Sequence, residues 1–122
     1  MKIHESAENY LETILMLQQR KGSVRSIDIA NELEFSKPSV SVAMKNLRLN
    51  GYIEMDPSGE IRLLEPGLEI AQKVLEKHNL ITKFLVALGV APETAAEDAC
   101  RMEHVISNES FEAIKAHAQK YI

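Results

Sequence analysis

The chain has 122 residues, 45% apolar and 26% charged, which is the profile of one ordinary globular domain or two very small ones and enough to bury a core without staples. Fourteen Lys and Arg against eighteen Asp and Glu leave a formal charge of -4, so no polybasic surface is available overall and any nucleic-acid binding must be local. A single cysteine rules out an intrachain disulfide, 5% aromatics without Trp argue against a single-strand stacking platform, and no apolar span or leader suggests a membrane or secretion, so a cytoplasmic protein is expected.

The first twenty residues place Ile3, Ala7, Tyr10, Leu11, Ile14, Leu15 and Leu17 at intervals of three and four, which predicts an amphipathic helix from about Ser6 to Arg20. Lys21-Gly22-Ser23 breaks it. A two-turn helix follows from Ser26 to Leu33, then a tight connection at Glu34-Phe35-Ser36. Ser36 is a good N-cap, Pro38 is tolerated in a first turn, and Val40, Ala43, Met44 and Leu47 form one apolar stripe that Asn50-Gly51 stops.

The period then changes. Tyr52–Met55 and Glu60–Leu64, joined by Asp56-Pro57-Ser58-Gly59, read as strand, turn and strand. Pro66-Gly67 opens a long helical pattern through Leu68, Ile70, Ala71, Val74, Leu75, His78, Leu80, Ile81, Phe84, Leu85 and Leu88, ended by Gly89. Residues 93–106 and about 108–121 make two further helices. The expected fold is mainly α with one small β-hairpin, divided by function near Glu65-Pro66 into residues 1–65 and 66–122.

Two helices joined by about three residues and followed by a hairpin match the winged form of the helix-turn-helix. Between Ser36 and Gly51 the chain carries Lys37, Lys45 and Arg48 and no acid, a local excess of cations where a recognition helix needs them for phosphates. Ser36, Lys37, Pro38, Ser39, Ser41, Val42 and Lys45 are the candidate contacts there, with Arg62 on the wing. Lys45 suits a phosphate and Ser39 a phosphate or base. For Val42 two readings stay open, contact with a thymine methyl or packing with Leu49 against the wing or a neighbour.

Cys100, Glu103 and His104 stand at i, i+3 and i+4, so a helix puts thiolate, carboxylate and imidazole on one face. That mixed set suits Fe(II), Zn(II), Co(II) or Mn(II). The same residues also admit a buried small hydrophobe and a solvated pair. His78 interrupts the apolar stripe of the long helix, either as a ligand or as a hydrogen-bonded core histidine. Glu5, Glu8, Asn9 and Glu12 offer oxygen donors on the first helix, or simply answer its dipole. His4 and His117 fit no ligand spacing.

Taken together, these residues resemble the diphtheria toxin repressor and manganese transport regulator family of metal-dependent transcriptional repressors. The resemblance rests on Glu8-Asn9-Tyr10-Leu11-Glu12-Thr13-Ile14, on Ile29-Ala30-Asn31-Glu32-Leu33 through Ser36-Lys37-Pro38-Ser39-Val40-Ser41, on Lys77-His78, and on Ala99 to Ser107. It implies that Cys100, Glu103 and His104 bind a regulatory ion with His78 as a further ligand, that Glu12 matches a carboxylate ligand of the manganese branch, and that Asn9 replaces the family's usual Met or Asp. The positions matching the iron branch's ancillary site are Thr82 and Ala96, neither a plausible ligand. The implied protein is the short, two-domain form. It takes Mn(II) or Fe(II), with Zn(II) or Co(II) as substitutes, and binds a palindromic double-stranded operator as a homodimer.

In that scheme Leu80, Ile81, Phe84, Leu85 and Leu88 supply dimer surface as well as core, and no organic substrate is needed. A winged-helix regulator sensing oxidant through Cys100, or a small molecule, is the alternative. A second cysteine or a cation-rich thiol would favour it, and only Arg101 is adjacent. A metallohydrolase is disfavoured by the lack of a nucleophile elbow, an H-E-x-x-H helix or a phosphate-binding glycine loop, so no enzyme is expected.

Overall fold

A computed structural model describes residues 5–121, with the Glu5 side chain left out; Ile3 and His4 lie outside the described residues. The order of elements is α1 (Glu5–Lys21), α2 (Ser26–Leu33), α3 (Lys37–Leu49), β1 (Ile53–Met55), β2 (Ile61–Leu63), α4 (Glu65–Ala87), α5 (Pro92–Val105) and α6 (Asn108–Tyr121). The chain divides into two compact units between Gln72 and Lys73, inside α4. The division expected from sequence falls a turn or two earlier, at the start of that helix.

In the first unit, α1, α2, α3 and the hairpin pack around Ile14, Val24, Ile29, Val40, Met44, Ile53 and Ile61, all buried. Local chemistry sets the boundaries. The Arg25 backbone N–H donates to the Asp28 carboxylate at 2.9 Å, closing the start of α2, while Lys21 pairs with the same carboxylate. The Lys21 ammonium and the Arg25 N–H hold the Asp28 carboxyl below its ordinary pKa. Helix α2 ends on Glu34, the one described non-glycine residue with positive φ, at 57°. Ser36 then caps α3, its Oγ accepting from the Ser39 N–H at 3.3 Å.

The hairpin is antiparallel with Ile53 opposite Leu63, and it is anchored by a bridge from Val24 to Ile61. Asp56 accepts from the backbone N–H groups of Ser58 and Glu60 and so fixes the turn. Strand pairing stops one residue short of the expected Tyr52 and Leu64. The Leu64 N–H still donates to the Tyr52 carbonyl in the register of the ladder, and that carbonyl also explains Gly67, where a Cβ would lie 2.1 Å from the oxygen.

The second unit buries Val74, Ile81, Ala95, Ala99, Phe111 and Ala118. Ile81 belongs to this core, whereas Leu88 is 66% exposed and Leu80, Phe84 and Leu85 are intermediate. Lys115 of α6 pairs with Glu76 of α4 at 2.7 Å, and Lys77 lies 5.7 Å from the centre of the Phe111 ring. His117 packs edge-on against Phe84 and tilted against Tyr121. No helix among the described residues is long and apolar enough to cross a membrane.

Candidate metal centre and nucleic-acid interface

Glu103 is the unusual residue of the second unit. It sits on the inner face of α5, 1% exposed, one of two buried carboxylates among the described residues. An isolated carboxylate is costly to bury, so its surroundings have to supply charge or donors. His78 of α4 reaches one oxygen, with Nδ1 2.9 Å from Oε2. His104, one residue along α5 and 3% exposed at its side chain, places Nε2 3.3 Å from Oε1, but among the described residues Oε1 accepts no hydrogen bond.

A buried carboxylate with an oxygen left over, flanked by two imidazoles, is a donor set suited to a divalent ion such as Mn(II), Fe(II), Zn(II) or Co(II). The residues present therefore fit a metal. The other buried carboxylate is Glu12 of α1, 3% exposed. Asn9, one turn before it, is intermediate, and its carbonyl accepts from the Thr13 hydroxyl at 2.8 Å.

Cys100 lies one turn before Glu103 but is only partly buried. Among the described residues neither Cys100 nor His78 joins the group of ligand atoms, within 4.8 Å of one another, to which Glu103 and His104 belong. Arg101, the cation adjacent to it, is directed at Asp98 at 3.8 Å. Thr82 donates its hydroxyl to the His78 carbonyl at 2.7 Å, a helix-internal bond that occupies it at the ancillary position.

The first unit displays its polar groups rather than burying them. Lys37, Pro38, Ser39, Ser41, Val42 and Lys45 are all exposed on α3, as is the cap residue Ser36. The Ser36 hydroxyl donates to Ser39 Oγ at 2.8 Å, which leaves the Ser39 proton to be offered outward. Val42 is 61% exposed and Leu49 70%, so within this chain neither packs on the wing. Lys37, Lys45 and Arg48 form no ion pair among the described residues, while Arg20 and Lys21 are paired with Glu32 and Asp28.

Arg62 is placed differently from the others. Its guanidinium pairs with Glu60 at 2.9 Å and Asp56 at 3.8 Å on the wing itself, and the Glu60 carboxylate raises its pKa further. Any phosphate would have to compete with those two acids. Ser26, in contrast, is not among the contacts expected from the sequence, and Arg48 is expected there only as one of three cations of the segment, although both line a cleft with Ser41 and Lys45. The available signal was the spacing Lys37, Ser41, Lys45, Arg48 along one face of the helix.

Comparison with known proteins agrees with both halves of this geometry. Residues 2–61 match the N-terminal DNA binding domain of the iron dependent repressor, and residues 64–121 match its metal binding and dimerisation domain. The chain belongs to the iron-dependent repressor family. Members of this family are metal-dependent transcriptional repressors with a winged helix-turn-helix. The transcriptional regulator MntR of Escherichia coli (strain CFT073) is 38% identical over 96% of this chain and 76% of its own length. An HTH-type transcriptional regulator of Methanocaldococcus jannaschii is 36% identical over 96% of this chain and 95% of its own. The solved manganese regulator SloR superposes with a TM-score of 0.81 at 28% identity, over 98% of this chain and 55% of that one. The chain thus spans about half the length of that solved structure and nearly all of the archaeal relative.

Proposed function

We propose that this member of the family represses transcription by binding a palindromic double-stranded operator as a homodimer when Mn(II) or Fe(II) is bound, in the cytoplasm and without an organic substrate. The observation that carries the metal reading is Glu103, buried between His78 and His104 with Oε1 accepting no hydrogen bond. His78, Glu103 and His104 would hold the ion. Buried Glu12, Asn9 and the partly buried Cys100 are the further ligands that the family resemblance supplies. A divalent ion supplies positive charge that offsets the buried carboxylates.

Residues 66–122 then form the metal-binding and dimerisation half, and residues 1–65 the reading half. Ser36, Lys37, Pro38, Ser39, Ser41, Val42 and Lys45 are the DNA contacts, with Ser39 donating its free proton and Val42 offering its apolar end to a thymine methyl. Arg62 contributes only after leaving Glu60. Two recognition helices related by two-fold symmetry read half-sites about one turn, roughly 34 Å, or a multiple apart.

DNA binding measured by fluorescence anisotropy at one salt concentration, with Mn(II), Fe(II), Zn(II), Co(II) and chelator compared, tests the reading. Tighter binding with a metal than with chelator is expected. Cys100→Ala should re-rank the metals if the thiol is a ligand, and an unchanged ranking removes it from the site. Equal affinity under every condition contradicts the proposal as a whole.

A further inference from the structure

Helix α3 carries three distinct faces. Val40, Met44 and Leu47 form the buried one. Pro38, Ser39, Val42, Asn46 and Leu49 form the exposed face on which the expected base contacts lie. Between the two, Lys37, Ser41, Lys45 and Arg48 fall within roughly 80° of one another around the helix, in a stripe about 16 Å long. Every charged residue of α3 is on this stripe, and none is in an ion pair among the described residues.

The stripe is recessed as well as charged. Ser41, Lys45 and Arg48 line a cleft of about 210 Å³ whose opposite wall is Ser26, at the start of α2, and Met55 of β1. A second cleft of about 260 Å³ continues it, bounded by Ser26, Ile27, Lys37 and Ser41. The two share Ser26 and Ser41, so hydroxyls occupy the middle and cations both ends. Among the described residues no carboxylate lines either one. Hydroxyl donors and unpaired cations suit phosphodiester oxygens, and a stripe about 16 Å long spans two or three successive phosphates of one strand, roughly 7 Å apart along the backbone.

We propose that this double cleft is the track for one DNA strand's phosphate backbone, with Arg48 as an ionic contact at one end and Ser26 as a neutral donor from α2 at its centre. The inference rests on the DNA-binding reading above and deepens it. Phosphates held on the stripe fix the register of α3, and the adjacent face carrying Ser39 and Val42 is left for base edges. Ser26 and Arg48 are therefore positioning contacts that act on every sequence alike.

The test is a salt titration of the full chain, loaded with Mn(II), against a mixed-sequence 30-base-pair duplex, where phosphate contacts supply essentially all of the affinity. Arg48→Ala should weaken binding and flatten the slope of log K against log salt by about 0.9, and Arg48→Lys should restore the slope. Ser26→Ala should weaken binding about 3- to 10-fold, the loss of one neutral hydrogen bond, with the slope unchanged. Lys83→Ala, an exposed lysine on α4, serves as a control expected to change neither quantity.

Circular dichroism melts confirm that each variant is folded. A wild-type slope in Arg48→Ala, or unaltered affinity in Ser26→Ala, overturns the track while leaving DNA binding by the rest of α3 standing. Absence of binding by the wild-type protein at low salt overturns both.

Discussion

In α3 the cations Lys37, Lys45 and Arg48 stand exposed with no ion pair among the described residues, whereas in α5 the carboxylate of Glu103 is buried between two histidines. The contrast separates two uses of charge. Exposed cations cost little to keep, because water solvates them, and they are available to a polyanion whose own counterions they release. A buried carboxylate is expensive and holds its place only with a compensating partner, which makes its site selective for a compact cation. The net charge of -4 conceals this arrangement, since it sums an outward cationic stripe with acids that belong to another task.

The largest effect is expected where charge is buried. Glu103→Gln keeps the shape and removes the charge; Mn(II) affinity in isothermal calorimetry should fall by more than the roughly 10- to 100-fold typical of losing an outer-sphere partner. The thermal stabilisation by Mn(II), about 2.7 kcal/mol at 100 times Kd for the wild type, should disappear with it. Wild-type Mn(II) affinity in this variant would remove Glu103 from the centre. Lys45→Ala makes the opposite test. Binding to all DNA sequences should weaken by about 5- to 10-fold with a salt slope flatter by about 0.9, while stability in urea stays within about 0.5 kcal/mol. A loss confined to one base position would contradict the phosphate assignment.

Smaller effects probe the frame that presents the stripe. Ser36→Ala removes the cap of α3 and should cost about 1 kcal/mol in urea denaturation, with a further loss of DNA affinity because Ser39 loses its donor. Unchanged stability would mean the cap contributes nothing. Asp28 has its pKa lowered in the folded state, chiefly by Lys21, so its contribution is present above the unfolded value near 3.9 and is lost as pH falls through the lower folded one. Asp28→Asn should lower stability at pH 5 and flatten the decline between about pH 4 and pH 2, measured by thermal melts. A decline as steep as in the wild type would place the acid sensitivity elsewhere.

The element boundaries were legible wherever a side chain enforces them. Ser36 and Asn50-Gly51 bracket α3, and Asn108 starts α6, each within a residue of the expected place. The regular strands of the hairpin are a residue shorter than expected, while the bond from the Leu64 N–H to the Tyr52 carbonyl keeps the expected pairing in register beyond them. For the metal centre, the spacing of Cys100, Glu103 and His104 correctly puts them on adjacent turns but carries no information about depth. Glu103 is fully inside and Cys100 only partly so.

Surface contacts divide in the same way. Glu60 stands just before β2 and two residues from Arg62, so extended backbone puts both side chains on one face and their ion pair was readable from the sequence. Ser26 was not readable, because its place beside Ser41 and Lys45 arises from the packing of α2 on α3.

In the proposed function, the buried charge of one half would govern the use of the exposed charge of the other. Linkage makes that claim reciprocal: if Mn(II) tightens DNA binding by some factor, DNA must tighten Mn(II) binding by the same factor. Calorimetric Mn(II) titration of the full chain, alone and saturated with operator duplex, measures it directly. The expected result is a gain in Mn(II) affinity on DNA equal to the gain in DNA affinity on Mn(II), within about 5- to 150-fold for a typical coupling of 1–3 kcal/mol. Identical Mn(II) affinity with and without DNA would contradict it.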